Sequence, residues 1–235
     1  MPKYFALVPA AGSGSRMARD LPKQYLEVAG RPLLYHALAR LCEQPAIEQV
    51  FVVLAPGDAR FNAFDWTPFA SRLEPLYCGG YSRAASVFNG LLAVRDAVAA
   101  MDWILVHDAA RPCVTAAEVE RLMHEVGDEE AGGLLALPLA DTLKRANREQ
   151  RVVQTEPRDQ LWRAQTPQMF RYRLLLEALR ALDHGLITDE ARAVEHLGLK
   201  PRLVMGDARN IKVTYPDDLA LAARILENTR MAGAQ

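Results

Sequence analysis

Glycines and basic residues cluster in a loop that follows the first apolar run of the chain. Gly12 and Gly14 come directly after the run 4–8, and Arg16 and Lys23 follow them. Glycine lets backbone N–H groups approach an anion closely, while arginine and lysine add charge-assisted hydrogen bonds to phosphate oxygens. In a parallel sheet, ligands bind outside the carboxyl ends of the strands, which is where this loop is placed. The spacing predicts a phosphate-binding loop, and an ordinary glycine turn beside solvated charges is the alternative.

Two common phosphate-binding motifs do not match this loop. Met17 stands where a dinucleotide-binding fingerprint has its third glycine, and the Gly-Lys-Ser/Thr ending of a Walker A loop is absent. A hydride-transfer enzyme and a P-loop nucleotide hydrolase are therefore both disfavoured.

A carboxylate, Asp108, follows the apolar run 103–106. At the carboxyl end of a strand it could hold Mg²⁺, directly or through water, while phosphate oxygens complete the octahedron; a helix N-cap is the alternative. We interpret the adjacent His107 as structural, because a phosphate monoester is already ionised and needs no general base to become a nucleophile. The other histidines lie in helical patterns without ligand spacing.

Composition excludes several classes of protein. The chain has 28 basic and 29 acidic residues, so no global field attracts nucleic acid or a membrane surface. The N-terminal apolar run is too short for a signal peptide or a membrane span, which predicts a cytoplasmic protein. Cys42, Cys78 and Cys113 are widely spaced and predict free, mostly buried thiols rather than a disulfide or a zinc site.

Short apolar runs alternate with longer segments of helical periodicity. This alternation predicts an α/β fold in which a doubly wound, mostly parallel sheet is covered on both faces, as one domain over residues 1–235. Thr115 and Glu118 form a predicted capping box, and Thr188 and Pro216 mark two further helix starts. The predicted strands are 4–8, 49–54, 103–106, 134–137 and 202–204, and the predicted helices are 32–42, 83–100, 116–126, 172–182, 189–197 and 216–229.

One polar segment interrupts the alternation. Residues 141–158 are rich in charge and lie between two short strand-like pieces, which predicts a projecting β-hairpin arm over residues 139–160. A long polar hairpin has too little core to be stable alone, so we expect a partner subunit to hold it.

The loop resembles that of the nucleotidyltransferases. Ala-Ala-Gly-Ser-Gly-Ser-Arg-Met at 10–17 and Pro-Lys-Gln-Tyr-Leu at 22–26 are similar to the 2-C-methyl-D-erythritol 4-phosphate cytidylyltransferases, a family with a Rossmann-like fold. Seven further blocks occur in the family's order. They are Gly-Gly-Tyr-Ser-Arg-Ala-Ala-Ser-Val at 79–87, Val-His-Asp-Ala-Ala-Arg-Pro at 106–112, Asp-Thr-Leu-Lys at 141–144, Arg-Asp-Gln-Leu-Trp at 158–162, Gln-Thr-Pro-Gln at 165–168, Thr-Asp-Glu at 188–190 and Asn-Ile-Lys-Val-Thr at 210–214.

The resemblance implies a role for each matched position. It implies catalytic roles for Arg16, Lys23, Arg158 and Lys212. The implied nucleotide-binding residues are Ala10, Ala11, Gly12, Ser13, Gly14, Gly80, Arg83, Ser86, Asp108 and Ala109. The implied substrate-binding residues are Asp108, Arg111, Thr142, Arg158, Thr166, Thr188 and Lys212. Tyr81 stands where the family commonly has an acidic residue, so a side-chain contact there does not carry over.

The implied reaction joins CTP to 2-C-methyl-D-erythritol 4-phosphate with Mg²⁺ as cofactor and Asp108 near the metal. The family's arm crosses to a neighbouring subunit, so a homodimer through residues 139–160 is expected. Three alternatives are open: a cytidylyltransferase for ribitol 5-phosphate, a sugar-1-phosphate nucleotidyltransferase that uses another base, and a catalytically silent nucleotide-binding protein.

Overall fold

A seven-stranded sheet forms the centre of the computed structural model, which describes residues 1–12 and 21–232, and side chains as far as residue 229. The sheet order is β11-β7-β10-β6-β1-β4-β5. In chain order the strands are β1 Tyr4–Pro9, β2 Glu27–Val28, β3 Arg31–Pro32, β4 Ile47–Val53, β5 Leu73–Leu76, β6 Trp103–Val106, β7 Gly133–Pro138, β8 Leu143–Ala146, β9 Val152–Glu156, β10 Trp162–Arg171 and β11 Arg202–Met205.

The sheet is parallel except at β10, which runs antiparallel to β6 and to β7. The mostly parallel sheet is therefore confirmed, but the sequence pattern did not predict β10 or the edge strand β5. Both strands contain proline, and β10 carries the buried polar residues Gln165, Thr166 and Gln168. Prediction of strands from periodicity relies on apolar residues, so it does not detect a strand with buried polar groups.

Six α-helices in the described ranges connect the strands. They are α1 Leu33–Cys42, α2 Arg83–Ala93, α3 Ala116–Val126, α4 Tyr172–Ala181, α5 Glu190–His196 and α6 Pro216–Ala232. The capping box of Thr115 and Glu118 is confirmed, because each side chain accepts a hydrogen bond from the other residue's backbone N–H. The predicted start of α5 at Thr188 was wrong by one residue, since the Asp189 side chain accepts from the backbone N–H of Arg192 and caps the helix.

Helix α2 ends at Ala93, so its predicted extent to residue 100 was wrong. The chain turns after Val94 because Asp102 fixes the following segment. The Asp102 carboxylate accepts hydrogen bonds from the backbone N–H of Ala99 and of Lys3, each at 2.8 Å. These bonds connect the segment just before β6 to the residue just before β1. They would not form if α2 continued to residue 100.

Alternate side chains of the central strands enter cores on opposite faces of the sheet. On one face, Ala6 and Val8 of β1 pack with α1 and α3, and on the other face Phe5 and Leu7 pack with α2, α4 and α5. A third cluster, around Val28 and Val213, packs α6 against the side of the domain. Helices therefore cover both faces, as a doubly wound sheet requires.

The arm at residues 139–160 contains a β-hairpin. Strands β8 and β9 pair in antiparallel register, and the side chains of Val152 and Val153 are 64% and 61% exposed. A two-stranded hairpin with exposed valines buries too little surface to be stable alone.

Within the described residues, the helices are too short or too polar to cross a bilayer.

Candidate active site

A cleft of about 740 Å³ opens at the carboxyl ends of β1 and β6. It is bounded by the end of β1, the loop before α2, the residues after β6 and the segment before α6. Its lining residues are Pro9, Ala10, Ala11, Gly12, Lys23, Gln24, Gly80, Tyr81, Ser82, Arg83, Ser86, Asp108, Ala109, Ala110, Lys212 and Thr214. The position matches the crevice expected for a ligand of a parallel sheet.

Close backbone packing fixes one side of this cleft. A Cβ atom on Gly79 would lie 2.2 Å from Cβ of Ala11, and one on Gly80 would lie 2.6 Å from Cβ of Ala85, so only glycine fits at these two positions. The Gln24 side chain donates to the carbonyl of Ala10 at 2.7 Å. The segments around Ala10 and Gly80 are therefore held in fixed positions, with their backbone groups facing the cleft.

The N-terminus of α2 faces the same cleft. Ser82 caps the helix by accepting from the backbone N–H of Ala85 at 3.0 Å, and Ser86 Oγ accepts from the backbone N–H of Gly80 at 3.0 Å. Ser86 also donates to the carbonyl of Ser82 at 2.9 Å. A helix N-terminus carries a partial positive charge and unpaired N–H groups, which favour an anion at this position.

Asp108 lies between two cations. Its carboxylate accepts from Nε of Arg83 at 2.7 Å and from Nζ of Lys212 at 2.7 Å. Burial alone would raise the pKa of Asp108, but the charges of Arg83 and Lys212 outweigh it, so the pKa lies far below its ordinary value. Asp108 is ionised, and its alternative interpretation as a helix N-cap was wrong, because the chain continues into a turn.

Lys23 reaches the cleft from the short 3-10 helix Lys23–Tyr25. Its ammonium donates to the carbonyl of Val213 at 2.9 Å, next to Lys212 in sequence. Lys23 and Lys212 therefore approach one end of the cleft from two separate segments. Arg16, Ser13 and Gly14, which the sequence analysis placed in the same site, lie outside the described residues.

A chain of hydrogen bonds links Asp108 to residues outside the cleft lining. The Thr166 hydroxyl accepts from the backbone N–H of Asp108 at 3.0 Å and lies 3.0 Å from Nδ1 of His107, whose Nε2 lies 3.0 Å from the carbonyl of Arg111. Burial lowers the pKa of His107 to about 4, so the ring is neutral. A neutral ring that donates from Nε2 accepts the Thr166 proton at Nδ1. His107 is thus structural, as we expected.

Several residues implied to bind the second substrate lie away from the cleft lining. Arg111 donates to the carbonyls of Asn210 at 2.6 Å and of Ala164 at 3.3 Å, and Thr166 is only 4% exposed. Thr142, Arg158 and Thr188 are exposed, and Arg158 donates to the carbonyl of Ala140 at the base of the arm. Within a single chain, the implied nucleotide residues that the structure describes lie together with Lys23 and Lys212 around the cleft, but these five do not line it.

Three residues in or beneath the cleft were not predicted as site residues from the sequence. Gln24 and Ser82 line the cleft, and Glu190 pairs with Arg83 beneath it. A serine before a helical run is a capping signal that could have identified Ser82. Glu190 lies in the matched block 188–190, but nothing local indicates its burial, because a glutamate in the first turn of a helix is usually exposed.

The described residues contain no cluster of three or more potential metal-binding side chains. Asp108 is the carboxylate among the residues that line the cleft. Mg²⁺ commonly binds one or two carboxylates and takes its other ligands from water and substrate phosphates. One ionised carboxylate beside a helix N-terminus that favours an anion therefore fits this ion.

Comparison with known proteins gives one consistent result. A family model described as 2-C-methyl-D-erythritol 4-phosphate cytidylyltransferase (IspD) matches residues 4–228. Proteins of that name from Nitrosospira multiformis and Dechloromonas aromatica are 55% identical over 232 residues, covering 98% of this chain and 100% of the relative, and 58% identical over 226 residues, covering 96% and 98%.

Two solved structures are similar over almost the whole chain. A 4-diphosphocytidyl-2C-methyl-D-erythritol synthase superimposes with a TM-score of 0.86 at 39% identity, covering 96% of this chain and 99% of that chain. The 2-C-methyl-D-erythritol 4-phosphate cytidylyltransferase of Francisella tularensis gives 0.80 at 32% identity, covering 95% and 99%.

Proposed function

The chain belongs to the 2-C-methyl-D-erythritol 4-phosphate cytidylyltransferase family, and from this premise we propose how its residues perform the reaction. The enzyme transfers CMP from CTP to 2-C-methyl-D-erythritol 4-phosphate in the non-mevalonate synthesis of isoprenoid precursors. The products are 4-diphosphocytidyl-2-C-methyl-D-erythritol and pyrophosphate. The observation that carries the assignment of roles is the cleft in which Lys23, Lys212 and Asp108 meet the N-terminus of α2.

CTP occupies the cleft between β1 and α2 in this proposal. Backbone groups of Ala10, Ala11 and Gly12 contact the nucleotide on one side, and Gly80, Ser86 and Ala109 contact it on the other. The tight packing at Gly79 and Gly80 supports this assignment, because it holds those backbone groups in place before the ligand arrives. Ser13, Gly14 and Arg16 complete the phosphate loop.

A phosphate oxygen of the second substrate attacks the α-phosphorus of CTP. The new P–O bond forms as the bond from the α-phosphorus to the bridging oxygen breaks, and that oxygen leaves with pyrophosphate. The attacking phosphate is ionised at neutral pH, so no side chain has to remove a proton. The obstacle is negative charge, which accumulates on the reacting oxygens.

Cations of the chain offset this charge. Arg16 and Lys23 stabilise the α-phosphate and the leaving pyrophosphate, while Arg158 and Lys212 orient the attacking phosphate. Lys212 contacts Asp108 at 2.7 Å, and in this mechanism its ammonium exchanges that carboxylate oxygen for a phosphate oxygen when substrate binds. Mg²⁺ near Asp108, when bound, neutralises charge on the triphosphate.

The remaining residues implied by the family, namely Thr142, Arg158, Arg111, Thr166 and Thr188, bind the sugar phosphate in the assembled enzyme. We propose a homodimer in which the arm at residues 139–160 of one subunit reaches the cleft of the other. The exposed valines of β9 and the exposed positions of Thr142 and Arg158 support this arrangement. We also propose a cytoplasmic location, which three free cysteines support.

Pyrophosphate release tests the function. We would incubate the enzyme with Mg²⁺, CTP and 2-C-methyl-D-erythritol 4-phosphate, beside reactions that contain ribitol 5-phosphate, UTP or ATP instead. Release with the first pair alone supports the proposal. Release with ribitol 5-phosphate alone would keep the mechanism and change the substrate, and binding of CTP without any release would indicate a silent nucleotide-binding protein.

A further inference from the structure

A fully buried carboxylate lies directly beneath the cleft. The side chain of Glu190 has no exposed surface, and its two oxygens accept hydrogen bonds from Nη1 and Nη2 of Arg83 at 2.6 and 2.9 Å. Such a two-bond pair between guanidinium and carboxylate fixes the plane of both groups. The orientation of the Arg83 side chain is therefore set by Glu190.

The remaining contact of Arg83 enters the cleft. Its Nε donates to Asp108 at 2.7 Å, and the other oxygen of Asp108 contacts Lys212. The guanidinium thus joins the first residue of α5 to the carboxylate after β6. These two carboxylates and two cations form a connected cluster whose charges sum to zero.

Glu190 is itself held rigidly by the central sheet. Gln168 of β10, which is 1% exposed, accepts from the backbone N–H of Ala191 at 2.8 Å and donates to the Asp189 carboxylate at 2.9 Å. The Asp189 side chain in turn caps α5. The start of α5, and with it Glu190, is consequently fixed relative to the sheet.

We propose that Glu190 is a positioning residue for the nucleotide site, acting through Arg83 on Asp108. This inference rests on the proposed function of the same cleft. A buried carboxylate is costly to desolvate, and removing one partner of a buried pair leaves the other charge uncompensated. Loss of Glu190 should therefore affect Arg83 more strongly than loss of a surface ion pair would. Without the charge of Glu190 the cluster carries one excess positive charge, and Arg83 is drawn towards Asp108. The Asp108 carboxylate is then displaced from the position in which it contacts Lys212 and faces the ligand.

The variant Glu190→Gln tests this proposal against Val194→Ala, a control on the same helix. Val194 is buried in the core and has no place in the cleft. At a temperature well below both melting points, we expect kcat/KM for CTP to fall about 10- to 100-fold in Glu190→Gln, the range for residues that orient a ligand-binding group, while Val194→Ala retains the wild-type value. Calorimetric binding of CTP alone should weaken only in Glu190→Gln. Equal behaviour of the two variants would overturn the inference.

A second comparison separates positioning through Arg83 from a general effect. Glu190→Gln should cause no further loss when it is added to Arg83→Gln, because the group through which it acts is already gone. The same loss in both backgrounds would contradict the proposal. If Glu190→Gln does not fold, Glu190→Asp keeps the charge but withdraws it from Arg83, and wild-type kinetics of that variant would also overturn it. Failure of the wild-type enzyme to release pyrophosphate would instead refute the proposed function.

Discussion

The hydroxyl of Thr166 joins the ring of His107 to the backbone of Asp108, with both distances at 3.0 Å. The three groups are buried, and the neutral ring of His107 completes the chain at the carbonyl of Arg111. The backbone N–H of Asp108 is bonded to this hydroxyl. A change at Thr166 should therefore alter the position of Asp108 in the cleft, although Thr166 does not line the cleft in the single chain.

We expect Thr166→Val to lower both stability and turnover. Valine leaves the backbone N–H of Asp108 and Nδ1 of His107 without a partner, which costs about 1–3 kcal/mol for such a buried group. Thr166→Ser retains the hydroxyl and should remain close to wild type. Urea unfolding and pyrophosphate release measure the two effects, and a valine variant with wild-type stability would contradict the hydrogen-bond chain.

Lys23→Ala should remain folded but lose turnover by about 10²- to 10³-fold, because one cation that stabilises the reacting phosphates is removed. Lys200→Ala is a matched control, since Lys200 is an exposed lysine after α5. Circular dichroism would establish the fold, and single-turnover pyrophosphate release the rate. Near-normal turnover of Lys23→Ala would remove this residue from the mechanism. Arg16→Ala should show the same loss.

Arg158→Ala should mainly weaken use of the sugar phosphate. Loss of one charge-assisted hydrogen bond predicts an increase in KM for that substrate of about 10- to 100-fold, with KM for CTP nearly unchanged. Arg148→Ala, at the exposed tip of the same arm, is the control. Unchanged kinetics for the sugar phosphate would exclude Arg158 from the site.

Mixing two impaired variants, assayed at a sugar-phosphate concentration far below the KM of Arg158→Ala, tests whether the arm crosses between subunits. Lys23→Ala and Arg158→Ala enzymes should recover activity after unfolding together and refolding, because a mixed dimer contains one site with both wild-type residues. Half of the dimers in an equal statistical mixture are mixed, so about a quarter of the wild-type sites should return. No recovery in mixtures whose mixed dimers are verified by mass spectrometry would place both residues in one chain's site.

The three thiols should differ in reactivity. Burial raises the pKa of Cys42 and of Cys113 to about 12 in each case. Burial also raises the pKa of Cys78, but this side chain is partly exposed and open to reagent. The thiolate is the reactive form, so iodoacetamide at pH 8 should alkylate only Cys78 in the native enzyme and all three cysteines in urea. Mass spectrometry would count the modifications. Because the unfolded thiols ionise near pH 9, the contribution of Cys42 and Cys113 to stability should decline as pH rises from 9 towards 12.

Much of the architecture could be predicted from the sequence. The strand Trp103–Val106 and the helix Ala116–Val126 have the predicted bounds, because their apolar spacing and the cap at Thr115 agree. The family resemblance is confirmed by the match over residues 4–228. In these two elements a regular apolar face and a clear boundary signal were enough.

The support of the site could not be predicted in the same way. Glu190 and Gln168 are buried polar groups whose partners lie 107 and 21 residues away along the chain. Periodicity assigns such residues to solvent, and only the fold brings Arg83 to Glu190. Glu190 and Gln168 lie in blocks that match the family, but their supporting role depends on partners that no local pattern identifies.

The opposite direction of β10 has a consequence for how this enzyme can vary. Because β10 runs against β6, its amino end lies at the ligand-binding edge of the sheet, where β7 also ends. The arm therefore leaves and re-enters the sheet at the same edge and needs no crossover helix. Its length and sequence can change with little disturbance of strand register. If the arm binds substrate and pairs subunits as proposed, both properties can diverge together in one exchangeable segment while the cleft is preserved.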